Sequence, residues 1–269
     1  MITQITSGRR MVVLLAVAGA AFLTSVIHSG AQTITPQLDD LILGFHATGG
    51  QGQAIDLEVD LGNISNFYDA AVGSTLPLPA LSLQDLSDAY GASWSTRTNL
   101  FWGAIATTGR ANGTSDGHAP VGTLWATDPD GQPAWQQGSI FAQKTASAAL
   151  EAVFTPGSAG SLYGATATSN SSVAADITAS SPGSWSAEDL KTLGTSFSYF
   201  NPTVDNVVSN AVNVSELYEL QPGSGAGTDL GELVLGPSGL SFIAVPEPSA
   251  GLLAAIGLGL IVVLRHRRS

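Results

Sequence analysis

Cysteine is absent from this sequence of 269 residues. A chain without cysteine has no disulfide bonds, so its folded state depends on a hydrophobic core, which a chain of this length can supply. The same absence excludes thiol nucleophiles, zinc sites with cysteine ligands and iron–sulfur clusters.

Charged residues are scarce as well, and the basic ones are concentrated at the ends of the chain. Lysine and arginine together number nine, and five of them are terminal: Arg9, Arg10, Arg265, Arg267 and Arg268. Between these ends, four basic residues stand against all 21 acidic residues, which gives the middle of the chain a net charge of −17. Because such a surface repels phosphate groups, we predict that nucleic acid is not a partner.

Few residues in the middle of the chain suggest catalysis or metal binding. Only His46 and His118 are available there, and no HExxH motif is present. A Gly-x-Ser-x-Gly pattern at 113–117 has loop-like residues on both sides, whereas a nucleophile elbow needs a strand and a helix. Residues 128–131, Asp-Pro-Asp-Gly, are typical of a turn and lack calcium-loop spacing. We therefore predict no catalytic residue, no enzymatic activity and no metal or cofactor, with calcium the one cation left open.

The N-terminus is typical of a secretory signal peptide. Arg9 and Arg10 precede an apolar run at 11–27, and small residues follow at 29–31. This pattern predicts cleavage between Ala31 and Gln32 by the general secretion machinery. An uncleaved signal anchor is the alternative, because the apolar run is long; the residues after the arginines give little support for twin-arginine export.

A second apolar run, 249–264, lies near the C-terminus. It follows Pro246-Glu247-Pro248, a stiff extended spacer, and it is followed at once by Arg265, Arg267 and Arg268. At 1.5 Å per residue a helix of this run would measure roughly 24 Å, short of the ~30 Å hydrocarbon core. Such a segment crosses a bilayer only with local thinning or with snorkelling arginines. The positive-inside rule then places the preceding domain outside the membrane.

This tripartite tail resembles the PEP-CTERM sorting signal of Gram-negative bacteria. The resemblance implies recognition by an exosortase, a membrane-embedded enzyme that cuts near the Pro-Glu-Pro motif, and cargo of that system is typically associated with extracellular polysaccharide. The alternative is an ordinary single-span anchor.

The segment between these ends is predicted to be mainly β. Short alternating runs are separated by Gly, Ser, Asn and Pro turns, which is typical of an antiparallel sandwich or barrel-like domain. Two short helices, 83–90 and 187–193, have Ser caps and Gly stops, and 145–154 fits either a helix or a strand. A turn at Gly236–Gly239 predicts a hairpin. The predicted organisation is a signal peptide at 1–31, an exported domain at 32–245 and a sorting tail at 246–269, with one signal helix and one transmembrane helix at the ends.

Two further predictions concern exposed side chains of the exported domain. The alternation in 55–61 predicts a strand whose carboxylates, Asp56, Glu58 and Asp60, face solvent. Trp102 and Trp125 lie in strand-like runs and are predicted to be core residues. Trp135 lies in a glutamine-rich loop and is the candidate for an exposed platform that could stack on a sugar ring.

From the residues and the resemblance together, we expect a cell-surface or matrix protein that is structural or adhesive and associates with exopolysaccharide. The alternative is a secreted carbohydrate-binding module or carbohydrate-active enzyme. The expected partners are the secretion machinery, an exosortase and the membrane, the last through the C-terminal helix.

Overall fold

The computed structural model describes the exported domain and leaves both ends of the chain undescribed. The described residues are 37–53, 56–111, 113–114, 117–129, 131, 134–154, 166–167, 173–176, 206–208 and 212–245. The predicted signal peptide with its cleavage site at Ala31 and Gln32, the predicted helix 187–193 and the predicted tail from Pro246 onward lie outside these ranges.

Within the described ranges, the main element is an antiparallel sheet of eleven strands. The strands of the described residues are β1 (Asp40–Ala47), β2 (Asp56–Asn63), β3 (Thr75–Pro77), β4 (Leu100–Thr107), β5 (Leu124–Pro129), β6 (Gln136–Gln137), β7 (Thr166–Ala167), β8 (Val173–Asp176), β9 (Asn206–Val207), β10 (Asn213–Leu220), β11 (Gly225–Ala226), β12 (Thr228–Gly236) and β13 (Gly239–Ala244). The order of strands in the sheet is β3-β13-β12-β10-β5-β4-β1-β2-β8-β7, with β9 also paired to β4, and β6 pairs separately with β11.

The prediction of a mainly β, antiparallel domain is confirmed, and of its two alternatives the barrel-like one is nearer to the described sheet than the sandwich. The sheet is a single curved layer, a half-barrel, whose path runs from β3 to β7. The predicted hairpin is present, because Gly236 of β12 pairs with Gly239 of β13. Gly239 has φ 110°, a conformation that favours glycine.

Helices are few and short. They are α1 (Ser65–Tyr68), α2 (Leu83–Tyr90), a 3-10 turn (Trp94–Thr96) and α3 (Ile140–Phe154). The predicted cap of α2 is confirmed: the Ser82 hydroxyl accepts from the Asp85 backbone N–H, and the Asp85 carboxylate accepts from the Ser82 backbone N–H. The alanine-rich segment that fitted either state is helical, as its alanine content favours. In the described part of the chain, no helix is long and apolar enough to cross a bilayer.

The concave side of the sheet holds the larger hydrophobic core. Alternate residues of β1, β2, β4, β12 and β13 point into it, and α1 and α2 pack against them. Phe67 of α1 meets Phe242 of β13 edge to face, with ring centroids 5.2 Å apart. Trp102 and Trp125 are fully buried, so their prediction as core residues is confirmed.

A short connection forces the sheet to curve. Strands β2 and β3 lie seven positions apart in the sheet order, which would be about 34 Å in a flat sheet. Eleven residues, 64–74, join them, and four of these form α1, so only a fully straight path, of at most about 35 Å, would cover that distance. The segment is far from straight, because Ser74 N–H donates to Ala71 O within it. The sheet must therefore curl around α1.

A smaller core lies on the convex side, where α3 covers the middle of the sheet. Ala146 and Leu150 of α3 pack over apolar residues of β4, β5 and β10. The Thr107 and Ser147 hydroxyls meet at 2.6 Å, and the Gln143 amide donates to Leu220 O. Both faces of the central strands are therefore covered.

The predicted solvent face of β2 is wrong for two of its three acids. Leu57, Val59 and Leu61 point into the core as the alternation predicts, but Asp56 and Glu58 are only 1% and 2% exposed, while Asp60 is half-buried. Alternation reports which face is polar, and it does not report whether that face is covered by another part of the fold.

Tyr90 joins α2 to the sheet through its hydroxyl. The hydroxyl accepts from Leu57 N–H at 3.1 Å and donates to Phe45 O at 2.7 Å, and these two residues are paired across β1 and β2. Burial raises the pKa of Tyr90 well above its ordinary value, so the hydroxyl keeps the proton that it donates. Tyr90 therefore takes the place of a ladder hydrogen bond.

We predict that Tyr90→Phe lowers the free energy of unfolding by about 1–3 kcal/mol, because a buried N–H and a buried C=O both lose their partner. Denaturant titration of the full chain measures this. Tyr68→Phe, the same change at a half-buried position on α1, is the control and should cost less. Equal losses in both variants would show that the hydroxyl bridge is not the cause.

Candidate functional site

The strand directions divide the domain into two ends. Four successive antiparallel pairings separate β13 from β4, so these two strands run in the same direction. β1 pairs antiparallel with β4 and therefore runs opposite to both. The start of β1 at Asp40 therefore lies at the same end of the sheet as the last residue of β13, Ala244. The end of β1 at Ala47 and the start of β4 at Leu100 lie at the other end.

A cleft of about 550 Å³ opens at the end marked by Ala47 and Leu100. Its walls are the loop that follows β1 and the segment between α2 and β4. Residues with neutral polar or small side chains dominate the lining, which includes Gly50, Gln51, Ala92, Ser93, Arg97 and Asn99. Amide, hydroxyl and backbone groups at such a surface are suited to hydroxyl-rich ligands.

Arg97 fixes the shape of this cleft. Its guanidinium donates to the carbonyl oxygens of Gly49, Gln51 and Tyr90, and its Nε donates to Asn99 Oδ1 at 3.1 Å. The Asn99 amide also donates to Gly49 O at 2.8 Å. Because these bonds join residues almost 50 positions apart, Arg97 ties the two walls together.

The sequence analysis missed the cleft. Its one usable signal was that Arg97 is among only four basic residues in the middle of the chain, close to Asn99 and preceded at a distance by the glycine-rich run 49–52. The rarity of basic residues singled out Arg97. Its partners are backbone carbonyl oxygens, which no sequence pattern displays.

The prediction that Trp135 forms an exposed platform is wrong. Trp135 is 1% exposed, and its indole N–H donates to Thr127 O at 2.9 Å beneath the convex-side core. Gln136 and Gln137, two of the glutamines that suggested a surface loop, form β6, which pairs with β11. Trp94, Trp102 and Trp125 are buried too, so a tryptophan platform is not found among the described residues.

The two histidines of the domain are held by neighbouring side chains. His46 is 4% exposed and stacks on Phe101 with centroids 5.2 Å apart. His118 stacks on Tyr68 at 3.9 Å, and its Nε2 lies 3.3 Å from Glu219 Oε2. Within the described ranges, no group of three or more His, Asp or Glu side chains is arranged to hold a metal ion.

The chain leaves the described domain at the end of the sheet opposite the cleft. Ala244 closes β13, its N–H donates to Ser74 O and its carbonyl accepts from Gly73 N–H. The next residue, Val245, still donates to Leu230 O at 3.4 Å. Residues 244–268 match the family model of the PEP-CTERM protein-sorting motif. The chain carries a PEP-CTERM sorting motif.

This match confirms the resemblance predicted from Pro246-Glu247-Pro248, the apolar run and the terminal arginines. A PEP-CTERM motif implies processing by an exosortase, export, and a C-terminus anchored in the membrane before processing. No curated protein and no solved structure matches the chain.

Four carboxyl groups of the described sheet have raised pKa values. Burial raises the pKa of Asp60 despite a hydrogen bond from Gly62 N–H. Burial, with a small contribution from Asp60, raises the pKa of Asp40 to about 6 despite a hydrogen bond from Gln37 N–H. Burial and then Glu216 raise the pKa of Asp128 to about 7. Burial, Glu216 and Glu232 raise the pKa of Asp229 to about 6 despite a bond from Gly231 N–H.

We predict that the free energy of unfolding falls as the pH rises from about 4 to about 7. These carboxyl groups bind protons more tightly in the folded state than in the unfolded state. Their contribution to stability is complete below their pKa in the unfolded state and is lost as they ionise in the folded state. Urea titrations of the full chain across this window measure it. Asp128→Asn should flatten the profile and Asp88→Asn, at an exposed site, should not. A stability that rises across the window would contradict this origin.

Proposed function

We propose that this exosortase-sorted, exported protein acts without catalysis, as a structural or adhesive component of an extracellular polysaccharide matrix. The observation that carries the proposal is the PEP-CTERM motif, which begins at the last residue of the last strand of the sheet. Supporting it, the middle of the chain is strongly acidic, and the described residues form a cleft lined mostly by neutral polar and small side chains.

The position of the motif supports a particular orientation of the domain before processing. Three residues, 246–248, separate Val245 from the apolar run that begins at 249, and this connection spans at most about 14 Å. The end of the sheet with Ala244 is then held close to the membrane. The cleft, at the opposite end, faces away from the membrane, towards the space where matrix polysaccharide would be.

The first test concerns the sorting step. Mass spectrometry of the protein from its native host should show a mature chain that lacks the residues after the Pro-Glu-Pro motif. Replacing Pro246, Glu247 and Pro248 by alanine should leave the arginine cluster attached, because the motif that directs the cut is gone. Pro237→Ala, in the hairpin turn, is the matched control and should be processed normally. An intact tail on every wild-type molecule would instead support a plain membrane anchor.

The second test concerns the cleft. Ala92→Trp places a large side chain in its wall and should weaken binding of the full chain to polysaccharide from the host's own matrix by at least tenfold, on the order of 1.4 kcal/mol. Ala71→Trp makes the same change at an exposed site at the other end of the sheet and should leave binding unchanged. Sedimentation with the polysaccharide measures both. Equal binding by both variants would exclude the cleft, while processing of the tail would be unaffected.

A further inference from the structure

Acidic side chains stand side by side on three neighbouring strands of the sheet. Asp128 of β5 is the register partner of Glu216 of β10, and Glu216 is in turn the partner of Glu232 of β12. Directly opposed like charges destabilise a sheet, because their Cβ atoms lie only about 5 Å apart. Asp229, three residues before Glu232 on β12 and the register partner of Tyr218, adds to the repulsion.

Asp128 is the most unusual member of this row. Asp128 is 0% exposed, and neither of its carboxyl oxygens accepts a hydrogen bond. A buried carboxylate without hydrogen bonds is very unfavourable unless an opposite charge lies beside it. The carboxyl group that it faces, Glu216, is only half-buried and accepts a hydrogen bond from the Tyr218 hydroxyl at 2.6 Å.

The basic side chains of the described ranges do not supply the missing charge. Arg97 binds the cleft carbonyls, Arg110 pairs with Glu151, and Lys144 packs against Gly122 on the convex side. Among the described residues, the charged group that influences the pKa of Asp128 is Glu216, and its effect is repulsive. Because the described residues supply no compensating charge, a proton or a metal cation from solution is the candidate to supply it.

We propose that Asp128 and Glu216 together bind one hard divalent cation of the calcium type. Carboxylate oxygens are the ligands that calcium prefers, and Glu216 is accessible enough for the ion and its waters to enter. Because no third acidic or histidine side chain in the described part completes a cluster, water supplies the remaining ligands. The expected dissociation constant is in the weak range of extracellular modules, about 10⁻⁴–10⁻³ M.

Thermal unfolding of the full chain, purified in detergent and followed by tryptophan fluorescence, tests this proposal. At about pH 8, where Asp128 is ionised, calcium chloride at roughly ten times the dissociation constant should raise Tm by about 3–6 °C. Potassium chloride at equal ionic strength should not reproduce the rise. Asp128→Asn should have the higher Tm without calcium, because it removes the buried charge, and should lose the response.

Asp88→Asn is the control for removal of an acidic charge and should respond to calcium like the wild type. Glu216→Gln removes the half-buried ligand and should also lose the response, so the test does not depend on one variant folding. A wild-type Tm that is insensitive to calcium beyond the potassium control would overturn the proposal and leave Asp128 as a protonation site. A calcium response that persists in both Asp128→Asn and Glu216→Gln would overturn it as well.

Discussion

The connection between β2 and β3 constrains the whole sheet. Because residues 64–74 must join strands seven positions apart while forming α1 on the way, a flat sheet is not compatible with this chain. The sheet curls, and the curl creates the concave surface that the larger core fills, with Phe67 packed on Phe242. The pairing of β3 with β13 then brings Ser74 against Ala244, so the same constraint fixes the residue from which the sorting tail departs.

The strand directions place the start of the first strand and the end of the last strand together, and this placement has a functional consequence. The start of β1 and the end of β13 lie at one end of the sheet, so both the segment that follows the predicted signal peptide and the sorting tail attach there. The loops at the other end are left to form the Arg97 cleft. Under the proposed function, a protein held at the membrane by its tail would keep its cleft on the far side, because the motif begins at the last residue of the last strand.

The local elements were predictable from the sequence, and the non-local ones were not. Ser82 and Asp85 predicted the start of α2, and the glycines at 236 and 239 predicted a hairpin, because caps and turns depend on residues that are close in the sequence. The tail was predictable for the same reason. The half-barrel, the burial of Asp56 and the inward position of Trp135 depend on pairings between distant strands. The cleft escaped prediction because Arg97 binds carbonyl oxygens almost 50 residues away.

The central claim is that the domain is outside the inner membrane, tethered by the PEP-CTERM tail with its cleft accessible. The natural absence of cysteine allows a direct measurement, since Ala92→Cys would be the one thiol in the chain. In spheroplasts of a host strain without exosortase, a maleimide that cannot cross the inner membrane should label this position fully. Labelling that appears only after lysis would contradict the account.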